Sequence, residues 1–183
     1  MRDQDALPYF SLPGIPSETS PGSVLARLVS GLGFRLHWAT EGLRPVDFDF
    51  RAHPTGQSIG EVLEHIGQMV SWVHAQFTAG LPGATPLPDL DPDHGPVQRR
   101  EHCLRGLACL QAHLLDMTAA DLDGVVVDHP RRGRRSFWVL VNGPISDALT
   151  HVGQISVWRR AAGNPAPASD PFDGLPPQGV PGS

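Results

Sequence analysis

The chain has 183 residues, of which 40% are hydrophobic and 18% charged, and its formal net charge is −5. This composition is typical of one globular domain and excludes an intrinsically disordered chain. All of its basic residues are arginines, but the overall balance is acidic. We therefore expect no nucleic-acid partner, because a net basic domain is typical of nucleic-acid-binding proteins.

Hydropathy along the chain argues against a membrane or secreted protein. No stretch approaches the roughly 18 uninterrupted apolar residues that a membrane span needs. The first twenty residues include Asp3, Asp5, Pro8 and Pro13, and they lack the basic start and apolar centre of a secretory signal. We therefore expect a cytoplasmic protein without a membrane partner.

The composition changes twice along the chain, which predicts a helical domain between two extended ends. Residues 1–19 contain several prolines and no helical period, so we expect an extended N-terminal arm. Residues 20–165 form the predicted domain. Residues 166–183 are again rich in proline, which predicts an extended tail.

The first two predicted helices begin at clear capping signals. The first begins at Ser20-Pro21, a cap residue followed by proline, and runs to about Thr40. The second begins at Ser58, where Glu61 completes a capping box. Its amphipathic pattern is the cleanest in the chain. The apolar stripe consists of Ile59, Val62, Leu63, Ile66, Met69, Val70, Val73 and Phe77.

Two further helices complete the predicted domain. A long connection over residues 80–96 leads to a third helix over roughly residues 97–117. Two apolar runs around a polar turn then predict a short hairpin near residues 124–140. Pro144 begins the fourth predicted helix, which ends near Ala162. Four amphipathic helices with long connections predict an all-α four-helix bundle.

The second and fourth predicted helices carry matching sequences. At a constant offset, Leu63, His65, Gly67, Gln68 and Trp72 correspond to Leu149, His151, Gly153, Gln154 and Trp158. A glycine inside a helix costs about 1 kcal/mol relative to alanine, so we expect both glycines to permit a close approach of the two helices. Such an approach brings the two histidines within reach of one metal ion. The alternative is a glycine-mediated packing contact in which the histidines have no such role.

Asp147 is a candidate for a third ligand. It lies four residues before His151, so both side chains project from one face of the helix. Two imidazoles and one carboxylate leave coordination positions open for water or substrate. Alternatively, Asp147 orients His151 or caps the helix that begins near Pro144.

Two more matched pairs flank the candidate site. Gln68 and Gln154 lie about one turn beyond the histidines and are candidates for hydrogen bonds that orient the ligands. Trp72 and Trp158 are candidates for the walls of a pocket, although tryptophan at these spacings also packs in protein cores.

Two segments resemble a known family. Residues 57–66, from Gln57 to Ile66, resemble the helix-two motif of the DinB/YfiT-like superfamily. Residues 147–155, continued by 159–165, resemble its helix-four motif. These proteins are four-helix bundles with one metal-binding histidine on helix two and two ligands four residues apart on helix four. By position, the resemblance implies that His65, Asp147 and His151 are the metal ligands.

The resemblance also carries an expectation about function. The superfamily includes thiol S-transferases that use low-molecular-weight thiols such as bacillithiol or mycothiol, and its members often form homodimers. We therefore expect a metal-dependent transferase or hydrolase that acts on a small-molecule substrate. The family more commonly has histidine where this chain has Asp147, so the metal stays open between zinc, nickel and manganese. The alternative is a non-catalytic bundle that binds a small ligand or a protein partner, because a fold alone does not define an activity.

Overall fold

The computed structural model describes residues 6–79, 87–88, 91, 93–129 and 132–180. Within them, four long helices form the predicted all-α bundle: α1 (Pro21–Thr40), α3 (Ile59–Thr78), α4 (Pro96–Leu115) and α7 (Ser146–Ala161). Shorter helices occupy the connections: α2 (Pro45–Phe48), α5 (Ala119–Gly124) and α6 (Trp138–Leu140). The predicted connection over residues 80–96 lies largely outside the described residues.

The long helices enclose one hydrophobic core. α1 packs mainly against α4 and also against α7, while α3 packs against α4 and α7. The apolar stripe predicted for α3 faces this core: all of its members are buried except Met69, which is partly buried and packs against the core. The core therefore fixes the face that α3 presents to α7.

Both predicted capping signals are confirmed. The Ser20 hydroxyl accepts a hydrogen bond from the backbone N–H of Ser23 at 3.0 Å. At the start of α3, the Ser58 hydroxyl accepts from the Glu61 N–H at 3.2 Å, and the Glu61 carboxylate accepts from the Ser58 N–H at 2.8 Å. These bonds satisfy amide donors that lack a partner in the first turn of a helix.

The predicted hairpin is present before the last long helix. β1 (Val126–His129) pairs antiparallel with β2 (Gly133–Ser136), with Val126 opposite Ser136. The chain then leaves the hairpin at Phe137, which is 5% exposed and belongs to the core.

The last long helix begins at a kink next to Pro144. A short helical segment starts at Trp138 and continues through Val141–Ile145 into α7, but Gly143 within it takes the non-helical backbone angles φ −92° and ψ −106°. Two helices therefore meet at this kink, and Pro144 directly follows it. Proline lacks an N–H and clashes with the preceding turn of an α-helix, so it suits the first position after the break. Pro144 thus lies at the helix start that the sequence predicts, whereas the sequence does not predict α6 before the kink.

The N-terminal arm and the C-terminal tail both pack on the bundle. Tyr9 in the arm is 6% exposed and belongs to the core. The backbone oxygen of Phe10 accepts a hydrogen bond from the indole N–H of Trp38 at 3.1 Å. The Leu12 N–H donates to the Gly174 oxygen at 3.0 Å, so the tail lies against the arm.

Candidate metal centre

Three side chains with metal-binding atoms converge where α3 faces α7. His65 projects from α3, and Asp147 and His151 lie one turn apart on α7. Oδ2 of Asp147 is 3.7 Å from Nε2 of His65 and 3.5 Å from Nε2 of His151. The two imidazole rings are 5.1 Å apart between centroids, with an interplanar angle of 86°. One potential ligand atom from each residue lies within 4.8 Å of the other two.

These separations are long for direct hydrogen bonds. A side-chain hydrogen bond is shorter than about 3.5 Å, so the carboxylate does not hydrogen-bond firmly to either imidazole. Ligands at about 2.0–2.1 Å in a tetrahedral site are separated by roughly 3.3 Å, which is close to the carboxylate–imidazole distances of 3.5 and 3.7 Å. A set of two imidazoles and one carboxylate accepts zinc, nickel or manganese. The group could therefore hold a metal ion.

The candidate centre opens to solvent on one side. The His151 side chain is 13% exposed, whereas those of His65 and Asp147 are 40% and 51% exposed. One candidate ligand, His151, is thus mostly buried, while the other two face a surface cleft. Such a geometry leaves room for a water or substrate beside the three side chains.

The two matched glutamines differ in their contacts. Oε1 of Gln154 lies 2.8 Å from Nδ1 of His151. An amide oxygen only accepts, so Nδ1 donates this hydrogen bond, and in the neutral imidazole Nε2 then carries the lone pair that could bind a metal. Gln68 is exposed and donates to Glu64 at 3.4 Å. Only Gln154 therefore has the contact expected of a residue that orients a ligand.

The predicted role of the matched glycines is wrong for Gly153. This residue is exposed, and a Cβ built on it meets no heavy atom within 4 Å. Among the described residues no helix approaches it closely, and nothing in them explains the glycine there. Gly67 is buried on α3. The imidazoles come together because their side chains reach across from α3 and α7, without a glycine contact at Gly153.

The matched tryptophans also differ. Trp72 is 38% exposed and lines the cleft beside His65. Trp158 packs against the hydrophobic core. The opposite wall of the cleft comes from the kink before α7, at Asn142, Gly143 and Pro144. The sequence does not predict this wall, because Asn142 and Gly143 line the cleft only through the kink that precedes α7.

A second cleft lies on the other side of His65 and is polar. Its lining includes Arg51, Glu61, Glu64 and Gln68. Arg51 donates to both carboxylate oxygens of Glu61, at 2.6 and 2.7 Å. These hydrogen bonds, helped by the Ser58 N–H, lower the pKa of Glu61 to about 2. Glu64 in turn forms an ion pair with Arg99.

The fold is similar to that of a known structure. The crystal structure of a DinB family member protein from Shewanella denitrificans matches with a TM-score of 0.55 and 14% sequence identity. The match covers 87% of this chain and 93% of that chain. The chain therefore has the DinB-like fold that its sequence predicts. No protein-family model matches the chain, and neither does any curated protein.

Across the described ranges, no helix combines the length and the apolar character needed to cross a bilayer. α3 buries its apolar stripe in the core and exposes Glu61 and Gln68. α1 is buried over most of its surface, and Val24 and Leu28 are among its exposed residues, at 56% and 36%.

Proposed function

We propose that this protein is a metal-dependent enzyme in which His65, Asp147 and His151 bind one divalent cation. The observation that carries the proposal is the convergence of these three side chains from two helices, with contact distances too long for firm hydrogen bonds. A bound divalent ion lowers the pKa of a water or a thiol and thus supplies a nucleophile at neutral pH.

The residues of the centre have distinct tasks in this proposal. Gln154 holds the proton of His151 on Nδ1, so that Nε2 stays available as a ligand. Asp147 contributes the one negative charge of the set. A divalent ion in this site therefore keeps a net positive charge, which attracts an anionic or polarisable ligand.

The carboxylates near the centre are poorly suited to act as a general base. The reaction therefore favours a nucleophile that loses its proton without the help of a carboxylate. Both Glu61 and Glu64 are paired with arginines, and the pKa of Glu61 is about 2. A general base works best when its pKa lies near the operating pH, so Glu61 is a poor candidate. A low-molecular-weight thiol needs less help than water, because its unperturbed pKa of about 8.5 is already close to neutral. We therefore favour thiol transfer over hydrolysis.

Metal binding by the untagged protein tests the proposal, since a polyhistidine tag binds the same ions. After chelator treatment and dialysis, the protein is titrated with Zn²⁺, Ni²⁺ and Mn²⁺ by calorimetry. We expect one ion per chain, and loss of that binding in His65→Ala and His151→Ala. His53→Ala is the control, because His53 is exposed and hydrogen-bonds to Thr55 at 2.9 Å, away from the centre.

The titration separates the enzyme from the alternative function. A non-catalytic bundle predicts no stoichiometric metal, and identical titrations for His65→Ala, His151→Ala and the unchanged protein. If one ion binds, a screen of electrophiles with low-molecular-weight thiols in the metal-loaded protein identifies the transfer reaction. Activity that persists in His151→Ala would count against the proposed role of the centre.

A further inference from the structure

The cleft on the Trp72 side of the candidate centre has an apolar part beside polar groups. Its lining includes Met69, Trp72 and Pro144, together with Asn142, Ser146, Asp147 and Thr150. Along α3, His65, Met69 and Trp72 follow each other at four- and three-residue steps, so they lie on one face of the helix. Trp72 lies about 10 Å from His65 along the helix axis. Across the cleft, Pro144 presents a ring without an amide hydrogen.

The exposure of Trp72 is the unusual feature. Its neighbours on α3, Val70 and Val73, are 3% and 2% exposed, whereas Trp72 is 38% exposed. A tryptophan in a cleft offers a large apolar surface whose burial by a ligand is favourable. Met69 and Pro144 also line a small apolar cavity that reaches into the core. The cleft is thus a continuation of the apolar interior, next to the candidate ligands.

The two sides of His65 differ in chemistry. One side carries the ion-paired Arg51 and Glu61, while the other carries Trp72, Met69 and Pro144. A ligand that binds at the centre therefore meets charged side chains on one side. On the other it meets the apolar surface of Trp72, Met69 and Pro144 next to polar side chains such as Thr150. This asymmetry selects ligands with one polar and one apolar end.

We propose that the cleft at Trp72 binds an aryl or alkyl group of a substrate whose polar end binds at His65, Asp147 and His151. This inference rests on the proposed metal centre and adds the substrate class. The substrate is a small molecule whose apolar group extends up to about 10 Å from its metal-binding atoms, the distance from His65 to Trp72 along α3. Trp72 is a specificity-determining residue in this proposal, because it contacts the part of the substrate that does not react.

Two hydroxamates that differ only in the apolar group test the proposal. Acetohydroxamate and 3-phenylpropanohydroxamate have the same metal-binding head, and calorimetry measures their affinities for the zinc-loaded protein. We expect the phenyl compound to bind roughly 10- to 30-fold more tightly, as expected for burial of the phenyl group. In Trp72→Ala that ratio falls to less than about 3-fold, while the affinity for acetohydroxamate is unchanged. Trp72→Phe keeps most of the ratio.

The control variant is Trp138→Ala. Trp138 is 60% exposed on α6 and is not part of the cleft lining, so this change leaves the ratio intact. If acetohydroxamate binds but the phenyl compound binds with similar affinity, the apolar subsite is refuted and the metal centre stands. The same conclusion follows if the affinity ratio of the two compounds stays high in Trp72→Ala. If Trp72→Ala changes only the oligomeric state, Trp72 belongs to a subunit interface and the subsite is refuted. If no zinc and neither hydroxamate binds, both the proposed function and the subsite fail.

Discussion

The guanidinium of Arg159 donates a 2.8 Å hydrogen bond to the backbone oxygen of Glu41 at the end of α1. The same nitrogen also donates to the Ala39 oxygen at 3.0 Å, and Nε donates to the Asn164 oxygen at 2.7 Å. Arg159 is 1% exposed, although it lies next to the exposed Arg160. The last carbonyls of a helix lack partners within it, so this arginine ties the end of α7 to the end of α1.

Removal of this contact is expected to destabilise the fold. Arg159→Met leaves several buried carbonyls without donors, and we expect the free energy of unfolding to fall by about 3 kcal/mol. Urea denaturation at neutral pH measures the change. Arg160→Met is the matched control and shifts the unfolding free energy by less than about 0.5 kcal/mol. Equal effects of the two variants would show that Arg159 does not hold the helices together.

Gln154 is expected to tune metal affinity. In Gln154→Leu the proton of His151 is no longer held on Nδ1, so we expect zinc to bind about 10- to 100-fold more weakly. Gln68→Leu is the control, because Gln68 contacts Glu64 and not His65. Competition with a chromophoric chelator measures both affinities. A zinc affinity in Gln154→Leu equal to that of the unchanged protein rules out this orienting role.

Two glycines are expected to respond in opposite ways to alanine. A Cβ on Gly22 would lie 2.3 Å from the backbone oxygens of Leu114 and Met117, so Gly22→Ala forces α1 away from the end of α4. We expect a loss of at least about 1–3 kcal/mol in unfolding free energy. Gly153→Ala meets open space in a helix and is expected to add up to about 1 kcal/mol. Thermal unfolding compares the two, and a destabilised Gly153→Ala protein would point to a contact that the structure lacks.

Stability is expected to fall below neutral pH because of two buried histidines. His37 and His74 are 5% and 4% exposed, and burial is the main cause that lowers the pKa of both imidazoles. The backbone oxygen of Pro8, 2.9 Å from Nδ1 of His37, opposes the shift in that residue. An unfolded histidine has a pKa of about 6.5, so the unfolded state binds more protons below that pH. The contribution of His37 and His74 to the free energy of unfolding is fully present above about pH 6.5. It is lost as the pH falls through the lower pKa values of the folded state.

Urea denaturation at pH 7.5 and pH 5.5 measures this dependence. The most informative variant is His74→Leu, because Nδ1 of His74 is buried without a hydrogen-bond partner among the described residues. We expect the difference in unfolding free energy between the two pH values to shrink in this variant. His53→Leu, which changes an exposed imidazole, leaves the difference unaltered. An unchanged difference in His74→Leu would mean that His74 does not contribute to the pH dependence.

Local sequence signals were sufficient to predict much of the fold. Capping depends on side chains three residues apart, so Ser58 and Glu61 identified the start of α3 without tertiary information. Periodicity identified the buried face of α3. The repeated histidine positions indicated that His65 and His151 come together, and the structure brings their ring centroids to 5.1 Å. The reason given for the matched glycines was wrong at Gly153.

Other features depend on contacts that the sequence does not display. The proline signal predicts a helix start at Pro144, but it does not show that the helical segment α6 comes before the kink. The non-helical backbone of Gly143 separates the two segments. In the same way, Arg159 and Arg160 are chemically identical neighbours. Only the position of the end of α1 decides that Arg159 is the buried one.

Anomalous diffraction from zinc-soaked crystals tests the central claim most directly. Data collected on both sides of the zinc absorption edge locate the ion without reference to activity. We predict one peak about 2.0–2.2 Å from Nε2 of His65, Nε2 of His151 and a carboxylate oxygen of Asp147. Crystals of His65→Ala should lack it. An occupied zinc position elsewhere, with these three side chains unliganded at saturating zinc, would contradict the account.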